Sequence, residues 1–180
     1  MTQERQFMSP TVETVLASFS PEARRLFDLW QTSRRGSLVP LRRDIDPMAV
    51  PGLLANIYIY RYCRDSDDFV CRLAGEAINH AWGGSIKGAS LKQIVGVERH
   101  PAAIMRWKAI VATPRFQYGR MDNVWDGSET CVAERLVLPI SENGEANGVL
   151  GYGQYRYRQT DRENVPPVWD GVATIDCADL

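Results

Sequence analysis

The spacing of apolar positions changes period along the chain. Helical spacing marks residues 20–36, alternation marks residues 57–74, helical spacing returns over residues 76–112, and alternation follows from residue 116. The first helix is the best signposted, in "SPEARRLFDLWQTSRRG". Ser20 is placed to cap it, Pro21 fits the first helical position, and Glu22 puts an acid in the first turn. Ala23, Leu26, Phe27 and Trp30 form an apolar stripe, and Gly36 follows the last turn. Pro40, Pro47 and Pro51 then divide the chain into a loop and a short helix that Asp46 would cap.

"ANIYIYRYC" and "FVCRLAG" are rich in β-branched and aromatic residues and predict two strands joined by a turn over residues 65–68. In the second, simple alternation puts Phe69, Cys71 and Leu73 on one face and Val70 and Arg72 on the other. Short helices are expected over residues 76–82 and 91–95, each closed by glycine. A longer helix within residues 98–113 carries Ile104, Trp107, Lys108 and Val111 on one side and ends at Pro114. Three strands follow. The first two are joined through "DG", and Pro139 is expected to stop the second. In the last, Leu150, Tyr152, Gln154 and Arg156 share one side, Val149, Tyr155 and Tyr157 the other. Two strands, a helical insert and three strands predict an α+β domain: a five-stranded antiparallel sheet with helices over one face. Residues 1–19 read as an extension with a possible short helix at 11–17, residues 20–157 as the domain, and residues 158–180 as a loosely ordered tail.

Composition narrows the function classes. A net charge of −1 over 180 residues gives no electrostatic reason to expect nucleic acid or an acidic membrane as partner. No apolar run approaches the roughly 20 residues needed to span a bilayer, and the first residues lack a signal-peptide pattern, so a cytoplasmic protein is expected. Cys63, Cys71, Cys131 and Cys177 match no zinc spacing. Cys71 falls mid-strand and Cys63 at a strand end, where a thiol could be exposed.

The chemical motifs are mostly negative. In "GGSIKGAS" Lys87 precedes the glycine and Ala89 follows it, so no phosphate-binding loop forms. Gly-x-Ser-x-Gly is absent. The acid pairs Asp44/Asp46 and Asp67/Asp68 fit capping and turn roles. Glu76 and His80, four apart on one helix, could form an acid–base pair in a pocket between sheet and helices; without co-ligands they predict no metal site. Tyr58, Tyr60, Trp82, Trp107, Phe116, Tyr118 and Tyr152 either fill the core or line a partly apolar cavity, into which Arg72, Asn79 or Arg120 could point.

Three segments in order carry a family resemblance. The first holds Pro40, Arg42, Asp44, Ile45, Asp46, Pro47, Pro51, Leu53 and Leu54. The second, "FVCRLAGEAINHAWGGSIKGASL", holds Arg72, Leu73 and Gly75, with Asn79, Gly83, Gly88 and Leu91 standing in the general PAS pattern. The third, "AERLVLPISENG", holds Glu134, Arg135, Leu136 and Pro139. Over residues 20–157 the chain resembles the bacterial PAS_5 family of short, effector-less PAS proteins, although Glu76 stands where members often have threonine. The resemblance implies strand order 2-1-5-4-3 and a sensory or protein-interaction role without catalysis. It also implies a haem, flavin or metabolite between sheet and helices, its identity left open, and homodimerisation through an N-terminal amphipathic helix. The flavin-binding cysteine motif of the superfamily is missing. Output would pass through a signalling partner. Leu26, Phe27 and Trp30 are the candidates for a dimer or partner surface, unless their stripe packs on the chain's own sheet. The rival readings are a small enzyme using Glu76 and His80, and a ligand-free adaptor.

Overall fold

The computed structural model describes residues 11–125, 129–159 and 172–180. Helices α1 (Val12–Ala17) and α2 (Pro21–Ser33) open the chain, followed by 3-10 turns at Arg42–Asp44, Pro47–Ala49 and Pro51–Asn56. Strands β1 (Ile57–Cys63) and β2 (Asp68–Ala74) lead into α3 (Glu76–Ala81), α4 (Leu91–Val95) and α5 (His100–Ala112). Strands β3 (Arg115–Trp125), β4 (Glu129–Ser141), β5 (Ala146–Gln159) and β6 (Val172–Asp176) complete it. The expected caps are in place: Ser20 Oγ accepts from Ala23 N at 3.1 Å, and Asp46 Oδ1 accepts from Met48 N at 2.9 Å.

All the strands pair antiparallel, in the order 2-1-5-4-3-6. The expected five-stranded order therefore holds, with one addition. Residues 172–176, read from sequence as tail, pair with β3 from Arg115–Asp176 to Gly119–Val172. Pro139 does not stop β4. It lies beyond Val137, the last β4 residue paired to β3, where no β3 carbonyl needs its missing N–H, so proline is tolerated there. Residues 126 and 127, the expected hairpin dipeptide, lie outside the described residues, as do the side chains of Cys131, Arg156 and Tyr157.

Helices cover both faces of the sheet, not one. The outer face carries α1, α2 and the 3-10 turns on a core that includes Ile57, Ile59, Phe116, Leu136, Leu138 and Leu150. The inner face carries α3–α5 on Tyr58, Tyr60, Phe69, Cys71, Val137 and Val149. Strand alternation assigns these sets, and β5 divides as its sequence predicts: Leu150 and Tyr152 outward, Val149 and Tyr155 inward. In β2 it fails at one point. Ile59 pairs with Leu73 and Tyr60 with Cys71, so Arg72 is an extra residue opposite the β1 ladder. This bulge reverses the parity, and Leu73 leaves the face of Phe69 and Cys71.

The apolar stripe of α2 is spent within the chain. Leu26, Phe27 and Trp30 are at most 3% exposed, so the dimer or partner role expected of them does not hold for the chain as folded. Trp30 Nε1 donates to Pro139 O at 2.7 Å, which ties the helix to β4. At the other end of α2, buried Glu134 accepts from Ser20 N at 3.1 Å and from Tyr118 Oη at 2.6 Å. An N-terminal helix sealed by long-range polar contacts is a fixed layer of the core.

Candidate functional site

The inner face holds a small pocket between β1, β4, β5 and the three helices. Its volume is about 90 Å³, and it is small because the sheet side is built of rings. Tyr58 and Trp107 stack at 11° with centroids 6.3 Å apart, while Tyr60 and Phe69 meet the Trp107 ring edge-on at 4.9 and 5.3 Å. Glycines in β5 make room for this layer. A Cβ on Gly151 would lie 2.0 Å from Tyr58 Cζ, and one on Gly153 would lie 3.1 Å from Ile78 Cδ1. Tyr58 thus lies across a strand that must be bare beneath it.

Two guanidinium groups join this apolar lining, Arg106 from α5 and Arg135 from β4, and no carboxylate does. Arg135 is half-buried and lies 5.6 Å from the centre of the Tyr155 ring. Its Nε is buried without a hydrogen-bond acceptor among the described residues. An orphaned charged donor of this kind is costly unless something in the pocket accepts from it. Burial pushes the Tyr58 hydroxyl well above the usual tyrosine range and the nearby Tyr155 pushes it further, with Arg135 pulling it back, so Tyr58 stays neutral at physiological pH. Tyr60 shifts the same way, mainly through burial and through Cys71 beside it. The pocket therefore presents fixed positive charge, neutral phenols and no competing acid.

Among the residues picked from sequence, Tyr58, Trp82 and Trp107 meet in this pocket. Tyr118, Arg120 and Tyr152 do not, because strand parity sends them outward. Tyr118 and Tyr152 are buried in the outer core, and Arg120 Nη2 lies 4.0 Å from Glu134 Oε1. Asn79 is a clasp rather than part of the wall: Nδ2 donates to Ala74 O at 3.3 Å and Oδ1 accepts from Ile86 N at 3.2 Å. Glu76 and His80 are exposed and absent from the pocket lining, so the expected acid–base pair is not part of this pocket. Arg72, displaced by its bulge, is exposed beside an open groove with Arg61 and Arg64. Sequence inspection placed Arg135 only within a motif and passed over Arg106. Alternation from inward-facing Val137 would have pointed Arg135 to the inner face.

Cys63, Cys71 and Cys177 are free thiols. Hydrogen bonds from Ser66 and the backbone lower the Cys63 thiol below its usual range. Burial raises Cys71, and it pushes Cys177 up to about 12. Among the described residues no group of three or more His, Cys, Asp or Glu could hold a metal, and no helix is long and apolar enough to cross a membrane.

The PAS_5 family model, described as a PAS domain, matches residues 18–153. The chain belongs to the PAS_5 family. PAS domains are sensory and regulatory modules, and the helical insert between β2 and β3, with its pocket against the sheet, is the part of this fold described above. No curated protein matches the chain. Among solved structures it is similar to the one titled "Structure of an RNA-binding Light-Oxygen-Voltage Receptor", at 17% identity and a TM-score of 0.39. That match covers 66% of this chain and 36% of the other, so the chain spans about a third of that protein's length. A haem or a flavin does not fit the pocket of this PAS domain. At about 90 Å³ it is well below the roughly 300 Å³ at which ligand sites begin, and no histidine or cysteine lines it to hold a haem iron.

Proposed function

We propose that this PAS domain is a sensor of a small oxyanion or carboxylate, taken into the pocket between the sheet and α3–α5 and read out by a partner protein or a second copy of the chain. The observation that carries this reading is the buried, unaccepted Nε of Arg135 in a pocket with a second guanidinium and no acid. A carboxylate or planar oxyanion would accept from Arg135 in the charge-assisted geometry that guanidinium groups favour. The volume limits the ligand to a few heavy atoms, and the Tyr58–Trp107 stack closes the pocket against larger rings. Binding would tie β4 to α5, whose Arg106 and Trp107 both line the pocket, so the helix is the element that would report occupancy.

Thermal unfolding at constant ionic strength, with chloride exchanged for formate, acetate, nitrate or phosphate, tests the reading. A ligand at a hundred times its Kd raises stability by about 2.7 kcal/mol, a readily measured rise in Tm. At least one anion is expected to raise Tm over chloride in the wild type and to lose that effect in Arg135→Leu. Equal Tm in every anion, or a rise that Arg135→Leu retains, contradicts it.

A further inference from the structure

The outer face contains a second, larger cavity that shares no lining residue with the inner pocket. Its volume is about 280 Å³, close to the lower end of ligand sites at roughly 300 Å³. Ile57, Ile59 and Leu150 form its floor on the sheet. Leu26 and Leu29 of α2 form one wall, and the segment from Ile45 to Leu54 forms the roof. Interiors seldom leave space larger than a water molecule unfilled, and an apolar cavity holds water poorly. The lining contains aliphatic side chains and no aromatic ring, so it offers an alkyl chain close contact and gives a flat ring nothing to stack on.

One charged side chain completes the lining, Arg42, which is half-buried. Exposed Leu73 and Pro47 flank it at the mouth; the bulge at Arg72 is what turns Leu73 to this side. Both nearby acids are engaged elsewhere: Asp44 lies 3.6 Å from Arg35, and Asp46 caps Met48 N. No carboxylate lines the cavity, and the Arg42 side chain has no ion-pair or hydrogen-bond partner among the described residues. We infer that this cavity binds an amphiphile with one anionic head and an aliphatic tail, a medium-chain carboxylate, with the tail between α2 and β1 and the head on Arg42. The site stands on the outer face and does not depend on the anion reading of the inner pocket.

Octanoate is the probe, with octanol as the neutral counterpart and acetate as the head group alone. Calorimetric titration of the full chain is expected to show saturable one-to-one binding of octanoate. Arg42→Leu should weaken octanoate about tenfold, the loss of one charge-assisted contact, and leave octanol unchanged. Leu73→Trp, at an exposed position, should plug the mouth and abolish both, whereas Arg43→Leu should change neither. In the wild type, methyl resonances of Ile45, Ile57 and Ile59 should shift with octanoate and those of Ile78 and Ile110, both buried in the inner-face core, should stay. Arg135→Leu should leave octanoate binding intact, which separates this site from the inner one. Absence of saturable binding, shifts confined to Ile78 and Ile110, survival of binding in Leu73→Trp, or equal affinity in Arg42→Leu and Arg43→Leu overturns the inference.

Discussion

The outer and inner faces of the sheet draw on alternate residues of the same strands, yet they are finished in opposite ways. Outward, one amphipathic helix of 13 residues lies on the sheet, with Trp30 fully buried and Glu134 satisfied by Ser20 N–H and the Tyr118 hydroxyl. Inward, two short helices of 6 and 5 residues and one longer helix cover a layer of tyrosines, and a guanidinium there is left partly unaccepted. The polar groups buried under α2 at Glu134 and Trp30 find partners within the chain, so that part of the outer layer is complete. A face that buries a charged donor without an acceptor is unfinished until something binds. The contrast sets the sealed contacts of α2 apart from the proposed anion site on the inner face.

The largest expected effect removes the outer anchor. Trp30→Ala takes out a fully buried ring and its hydrogen bond to Pro139 O, and should cost about 3–5 kcal/mol in urea unfolding. Trp107→Ala, on the inner face and only partly buried, should cost clearly less. An equal or larger loss at Trp107 would break the contrast. Next is the outer polar clamp. Glu134→Ala strands the Ser20 N–H, at about 1–3 kcal/mol for a buried group left unsatisfied, while the Tyr118 hydroxyl keeps Ser18 O at 2.8 Å. Tyr118→Phe should cost less in the Glu134→Ala background than in the wild type, a coupling that a double-mutant cycle measures.

A prediction of similar size probes the inner ring layer. Gly151→Ala drives a Cβ into the Tyr58 ring and should destabilise by about 1–3 kcal/mol. In a Tyr58→Ala background the same change should be almost free. A full penalty there would mean that the backbone, not the ring, requires the glycine.

The smallest effect lies at the rim of the inner face, where Lys108 Nζ meets Asp67 at 2.5 Å and the Tyr62 hydroxyl bonds the same carboxylate. The bond from Lys108, then that from Tyr62, lowers the Asp67 carboxyl below its usual range. A lowered carboxyl gives stability that is present above the unfolded value, about 3.9, and is lost as pH falls through the folded value. Urea midpoints of wild type and Asp67→Asn should therefore differ slightly at pH 7 and converge in acid. A gap that persists at the lowest pH contradicts the assignment. The site is exposed, so the difference should be slight and screened by salt.

Much of this architecture was legible before any coordinates. Ser20-Pro21 and Asp46-Pro47 announce their helix starts because capping is local chemistry. The faces of β5 follow from strict alternation. The faces of β2 were misread because the bulge at Arg72 is set by how β1 pairs, which no residue type in "VCRLAG" discloses. The short β6 gains its meaning only from β3 beside it. The stripe of α2 declared itself apolar without saying what would cover it, since a sheet of the same chain and a second copy make the same demand. The inner pocket was half legible. Its rings stood out by type, but Tyr118 and Tyr152 were grouped with Tyr58 until parity separated them. The fault in the hydrogen bonding of Arg135 is a matter of geometry alone.

The Nε–Hε resonance of Arg135 tests the central claim most directly. It can be assigned as the arginine side-chain peak that disappears in Arg135→Lys. On titration with acetate, nitrate or phosphate at constant ionic strength, the account predicts that this peak moves saturably with at least one anion and that the Trp107 indole moves with it. A peak that stays in place against all three, while the protein remains folded, contradicts the claim that the inner pocket is an anion sensor.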